Sequence, residues 1–355
     1  MNSRGQCSVA SLFTQAWIVI NSWLPAAGCR LPTILALSFC LSITVHGAER
    51  DGRWAILLAG SSGDRDLQTR YLKELKDLRS VLENQLGFPR NQIVVLFDDP
   101  AKDPALIQRK STWEDLRAVC RDLAGRVKKE DLVFVFIEGH GNYDDKNYKL
   151  NLVGPDPTAG ELAAMVYSIP AQRFVVVNAT NCSGGSIAAL SKPGKVVIAS
   201  TKSGMETNQT HFGQYFVDAF KNNAADSDKN GRVSMMEAFS YASRKVEEYY
   251  KNEGSIQTEH PVLDDNGNGQ AQGNPTPENG EGLLARITFL DSGIPVDARP
   301  TLTPEQQELA GEARGIEMQI DALKYAKKDM VEAEYEKQLE ALLLRLAQIN
   351  AKLPK

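Results

Sequence analysis

At 355 residues the chain has room for one large domain with an appendage, and 42% hydrophobic and 24% charged residues are ordinary for a globular protein. Its net charge is −5, and residues 49–355 carry 38 basic and 45 acidic side chains, which excludes the basic footprint of a nucleic-acid binder. Of five cysteines, Cys7, Cys29 and Cys40 fall in the first 48 residues, so Cys120 and Cys182 alone remain and a disulfide framework is excluded.

Arg30 precedes an apolar run over 31–45, and Val45, Gly47 and Ala48 offer small residues for cleavage before Glu49. Residues 1–48 are therefore expected to be an export leader, sending the mature chain to the periplasm or outside the cell. The run is too short to span a bilayer, so no stable membrane span is expected once the leader is gone.

The segment 53–60 reads as a first strand. Residues 67–86 follow as a helix, with Tyr71, Leu72, Leu75, Leu78, Leu82 and Leu86 at helical spacing and Gly87 closing it. A second strand over 92–97 and a second helix over 111–128 come next, and Cys120 falls on the apolar face of that helix as a core residue. Strands over 131–138, 173–178 and 195–200 complete the series, with 286–290 as a last edge strand. Continuous apolar runs without alternation mean that both faces of the sheet are covered. The fold class is α/β, a mostly parallel sheet flanked by helices.

The runs over 134–138 and 174–178 end abruptly, the first in Gly139, His140 and Gly141, the second in Ala179, Thr180, Asn181 and Cys182. Two buried strands thus bring a His and a Cys to one edge of the sheet, where strand ends leave side chains and amides open. A thiolate there would attack a carbonyl, a His would pass the proton, and backbone amides would hold the oxyanion. From about Trp54 to about Leu290 the chain resembles the caspase- and legumain-like cysteine peptidases. The resemblance implies His140 as general acid/base, Cys182 as nucleophile, and the Gly141 and Cys182 amides as oxyanion donors. The chain departs from the family's Ala-Cys pattern. Counted from the strand, Thr180 takes the cysteine's place; counted from Ser183 and Gly184, Asn181 does. Cys182 keeps a thiol there only with one extra residue after the strand. Two functions follow: a cysteine endopeptidase, or a catalytically inactive scaffold that binds a peptide or protein partner.

Asp226, Asp228, Asn230, Ser234 and Glu237 place oxygen ligands at positions 1, 3, 5, 9 and 12 of an EF-hand-type loop. Arg232 can give its carbonyl at 7, Gly231 makes the turn at 6, and Val233 is the apolar pin at 8. Helical patterns over 212–221 and 235–250 flank the loop, so a structural Ca2+ is expected. A second acidic stretch, 264–269, suggests an ion loop yet lacks a terminal Glu and a following helix, and sits in a Gly- and Asn-rich loop over 257–281.

The main domain is thus read as 49–291 and a proline-bearing linker as 292–300. In 301–355, Thr303, Pro304 and Gln306 open a helix. Leu309, Ala313, Ile316, Ile320 and Leu323 step along it, and Leu339, Leu342, Leu346, Ile349 and Leu353 along a second. This is expected to be a helical hairpin or short coiled coil, packed on itself or on a partner.

Overall fold

A computed structural model describes residues 52–292 and 331–353, together with part of the stretch 303–330. The leader over 1–48 lies outside the described residues, as does all of the linker but Ser292.

The strands are β1 (Arg53–Ala59), β2 (Ile93–Phe97), β3 (Arg109–Lys110), β4 (Leu132–Glu138), β7 (Arg173–Asn178), β8 (Lys195–Ala199) and β9 (Val262–Asp264). They form one seven-stranded sheet in the order β3-β2-β1-β4-β7-β8-β9. Every neighbouring pair is parallel except β8 with β9. A separate hairpin pairs β5 (Gly141–Tyr143) with β6 (Tyr148–Leu150). The sheet is the mostly parallel, helix-flanked α/β arrangement that the resemblance implied.

Alternation along the strands divides the core. Ala55, Leu57, Phe134, Phe136, Val175 and Val177 face helices α1 (Arg65–Asn84), α5 (Phe212–Phe220) and α6 (Met235–Asn252). Trp54, Ile56, Leu58, Val133, Val135 and Val176 face α2 (Trp113–Ala124), α3 (Ala159–Val166) and α4 (Ile187–Leu190). Each fully buried Leu, Val or Phe stabilises this packing by ~1.5–3 kcal/mol. Cys120 lies in the second layer as expected, and burial pushes its thiol up to about 12.

The expected edge strand over 286–290 is not formed. Gly282 instead opens a short helix, α7 (Leu283–Ile287), whose first amides are met by the Asp265 carboxylate at 2.8 Å (Gly282) and 2.7 Å (Ala285). Only Phe289 pairs, through one antiparallel bridge to Ser234. The true edge strand is β9, inside the segment read as loop. At the C-terminus, Ala313, Ile316, Ile320 and Ile349 form a small core of their own, closed by Leu309, Leu339, Leu342, Leu346 and Leu353. Arg345, on the final helix α8 (Glu332–Asn350), pairs with Glu312, so the two apolar series meet each other. No helix among the described residues is long and apolar enough to cross a membrane.

Candidate functional site

β1, β4, β7 and β8 all end at one edge, and the Gly60 amide donates to the Glu138 carbonyl at 2.9 Å where β1 and β4 stop. His140 follows two residues later, partly exposed, its ring edge-on to Tyr71 of α1 with centroids 6.1 Å apart. Gly141 opens the β5–β6 hairpin against the ring of Tyr148 and the Asn181 carbonyl, where a Cβ has no room. That close approach explains the His-Gly pair.

The segment after β7 is locked by hydroxyls. Thr180 Oγ1 bonds Asn178 Oδ1 at 2.8 Å and the Tyr148 hydroxyl at 2.7 Å. Asn178 Nδ2 donates to Ser186 Oγ at 3.0 Å, and Ser200 Oγ donates to the Thr180 carbonyl at 2.7 Å. Ser183 shares its hydroxyl with Ser200 at 3.0 Å and Thr201 at 3.2 Å. This network holds Cys182 at φ 59°, a left-handed conformation costing ~1–3 kcal/mol in a residue with a Cβ.

The consequence for the expected dyad is direct. Cys182 is only 1% exposed, and its side chain belongs to the core layer under α2, α3 and α4. His140 instead lies beside Tyr71, part of the opposite layer. The thiol's polar neighbour is Asn181 Nδ2 at 3.6 Å; no hydrogen bond among the described residues joins it to His140. Burial pushes the thiol up, away from thiolate formation. Both expected oxyanion donors are engaged as well. The Gly141 amide donates to Asn181 Oδ1 at 2.9 Å, and the Cys182 amide donates to the Glu206 carbonyl at 2.8 Å. Asn181, 8% exposed, also donates from Nδ2 to the Thr207 carbonyl at 2.8 Å, so its amide bridges β5 to the loop after β8. The structure therefore brings His140, Gly141 and Cys182 to one sheet edge but does not assemble them into a dyad with an open oxyanion hole. The extra residue after the strand is taken up by a left-handed turn that aims the thiol inward and Asn181 toward Gly141.

Sequence reasoning missed the carboxyl pair beneath this edge. Glu138, on β4, and Glu74, on α1, are buried with Arg70 between them, 3.4 Å from Glu74 and 3.6 Å from Glu138. Burial and the neighbouring charge of Glu74 push Glu138 well above the usual carboxylate range; burial also raises Glu74, with Arg70 opposing. One guanidinium thus faces two buried carboxyls, an arrangement that opposes ionisation of both at once. Gly213, in the first turn of α5, sits directly against Glu138 Oε2, where no side chain fits. An acid within the otherwise apolar run 132–138 was the available signal.

The 226–237 loop follows α5 and runs into the first turn of α6. Lys229 and Gly231 adopt left-handed φ values of 59° and 82°, and Val233 is buried. Oxygens of Asp226, Asp228 and Glu237 lie within 4.8 Å of one another. Glu237 Oε2 accepts from the Ser234 amide at 3.0 Å and hydroxyl at 2.9 Å in a capping box that starts α6, while Oε1 accepts from the Ser227 amide and hydroxyl, both at 2.9 Å. Burial opposes ionisation of Glu237, but these donors outweigh it and hold the carboxyl below its usual range. Arg232 directs its side chain to Asp291 at 3.0 Å, which leaves the carbonyl as its contribution at position 7. An oxygen-only donor set with three acids suits a hard cation such as Ca2+.

No protein-family model matches the chain, and no curated protein matches it. Among solved structures it is similar to protein GSU0716 from Geobacter sulfurreducens, at 10% identity and TM-score 0.41, over 65% of this chain and 97% of that one. It is also similar to the Drosophila initiator caspase Dronc, at 12% identity and TM-score 0.40, over 61% of this chain and 80% of that one. A third is drICE, at 12% identity and TM-score 0.37, over 62% of this chain and 90% of that one. Likeness at this level says nothing about chemistry, which rests on the residues described above.

Proposed function

We propose that the chain is a caspase-like scaffold, exported and braced by Ca2+ at Asp226, Asp228, Asn230, Arg232, Ser234 and Glu237, that binds a peptide or protein partner without cleaving it. One observation carries this reading: the Gly141 and Cys182 amides are already spent, on Asn181 Oδ1 and on the Glu206 carbonyl. A single oxyanion donor contributes roughly 10²–10³ in rate, and here neither is free. The inward thiol removes the nucleophile as well. An endopeptidase would need Asn181 and Glu206 withdrawn and the Cys182 backbone turned over, against the hydroxyl network that fixes it. Partner binding draws support from the loop closing the turn, where Met205 is 68% exposed beside Glu206. The helical segment 301–355 is a second element proposed to meet a partner.

The test is hydrolysis of a mixed fluorogenic peptide library by the mature chain from Glu49, with and without calcium. The scaffold reading expects no turnover beyond that of the Cys182→Ala protein. Turnover that both Cys182→Ala and His140→Ala abolish would overturn it.

A further inference from the structure

β9 leaves the sheet into Asp264, Asp265, Asn266, Gly267, Asn268, Gly269 and Gln270. Counted from Asp264, oxygen-bearing side chains stand at positions 1, 3 and 5 and glycine at 6, as in the 226–237 loop. The backbone agrees as well. Position 4 is left-handed in both loops (Lys229 at φ 59°, Gly267 at 81°), and so is position 6 (Gly231 at 82°, Gly269 at 75°). In both, the side chain at 3 accepts from the amide at 5: Asp228 from Asn230 at 3.0 Å, Asn266 from Asn268 at 2.8 Å. The side chain at 5 accepts from the amide at 7: Asn230 from Arg232 at 2.9 Å, Asn268 from Gln270 at 2.7 Å. The acid at 1 accepts from the glycine at 6: Asp226 from Gly231 at 2.9 Å, Asp264 from Gly269 at 2.8 Å.

The second loop has no terminal acid in sequence, but the fold supplies one. Glu281 Oε2 accepts from the Asp265 amide, loop position 2, at 2.8 Å; Glu237 Oε1 accepts from the equivalent Ser227 amide at 2.9 Å. The other oxygen, Glu281 Oε1, is buried without a hydrogen-bond partner, on a residue 0% exposed. Asp264 is also 0% exposed, and no ion pair among the described residues involves Asp264, Asp265 or Glu281. Asp265 accepts from the amides of Gly282 and Ala285, and its carboxyl also faces that of Glu281. A buried carboxylate oxygen facing no donor is unfavourable unless a proton or a cation meets it.

We propose that Asp264, Asn266, Asn268, the Gln270 carbonyl and Glu281 form a second site for a hard divalent cation of calcium's size, with Glu281 acting as the loop's terminal acid. All donors are oxygens, one of them a backbone carbonyl, the set such a cation selects. The location gives the ion a structural task. Asp264 Oδ1 accepts from Ser191 Oγ at 2.8 Å, and Ser191 closes α4, the helix that follows the Cys182 turn. A bound ion would tie the β9 edge, the α4–β8 connection and the start of α7 together.

The test is isothermal titration of the mature chain with calcium over a magnesium background. Wild type takes up two ions. Glu237→Gln retains one, and adding either Glu281→Gln or Asn268→Ala to it removes that one. Asn268 is exposed, so its loss is not a loss of fold, and circular dichroism checks each variant. Asn268→Asp, which adds a ligand charge, tightens the second ion. One ion in wild type, gone in Glu237→Gln, would overturn the second site and leave the 226–237 loop standing. One ion that survives Glu237→Gln and is lost on Glu281→Gln would do the reverse.

Discussion

Replacing Asn181 by Ala isolates the bridge that closes the candidate site. The substitution removes two hydrogen bonds, from the Gly141 amide at 2.9 Å and to the Thr207 carbonyl at 2.8 Å. Each is worth ~0.5–1.5 kcal/mol net, and the stranded Gly141 amide adds a desolvation cost of ~1–3 kcal/mol. The sum is about 2–6 kcal/mol, a fall in Tm of roughly 4–24 °C for a domain of this size. Denaturant unfolding gives the stability, and amide hydrogen exchange read at Gly141 shows whether that N–H has lost its acceptor. Asn181→Asp separates the two bonds. It keeps an acceptor for Gly141 but sets a carboxylate against the Thr207 carbonyl, so its folded pKa is raised. Its stability is then best at low pH and is lost as pH rises through that raised value. Unchanged Gly141 exchange with a stability loss under ~0.5 kcal/mol would refute the bridge.

Glu138→Gln tests the buried carboxyl pair. Because the folded pKa values of Glu138 and Glu74 are raised, wild-type stability is fully present below ordinary carboxylate pKa values and is lost as pH rises through the raised ones. The variant should lose less between pH 5 and 8, by ~1.4 kcal/mol for every tenfold weakening of Glu138 as an acid on folding, as urea titrations at several pH values would show. Calcium at 100 times its Kd should stabilise by ~2.7 kcal/mol per site, and Glu237→Gln should remove one such increment in thermal melts. Glu259 caps α5 by accepting from the amides of His211 at 2.8 Å and Phe212 at 2.7 Å, so Glu259→Ala should cost ~1–2 kcal/mol at pH 6.

The long elements were legible because their physics is local. Strands buried on both faces read as unbroken apolar runs, and α1 and α2 carried their core stripes at helical spacing. Short elements were not. β9 hides in a Gly- and Asn-rich stretch because its pairing with β8 comes from tertiary context. The 286–290 stretch looks like a strand, but Asp265 caps a helix there from 20 residues upstream. His140 and Gly141 follow the end of β4 and Cys182 follows the end of β7, but the direction of the thiol depends on a single left-handed residue. The bridge at Asn181 joins the turn after β7 to β5 and to the loop after β8, and no sequence spacing encodes that meeting. Likewise the twelve-residue spacing of 226–237 could be read from sequence, whereas the meeting of Glu281 with the 264–270 loop comes from tertiary structure.

The most direct measurement is labelling of folded, calcium-loaded protein with electrophilic peptide probes, read by mass spectrometry at Cys182. The buried thiol and the engaged Gly141 and Cys182 amides predict no adduct until the protein is unfolded, when Cys182 reacts like any free cysteine. Rapid, peptide-dependent modification of Cys182 in the folded chain, lost in His140→Ala, would contradict the account and restore the dyad.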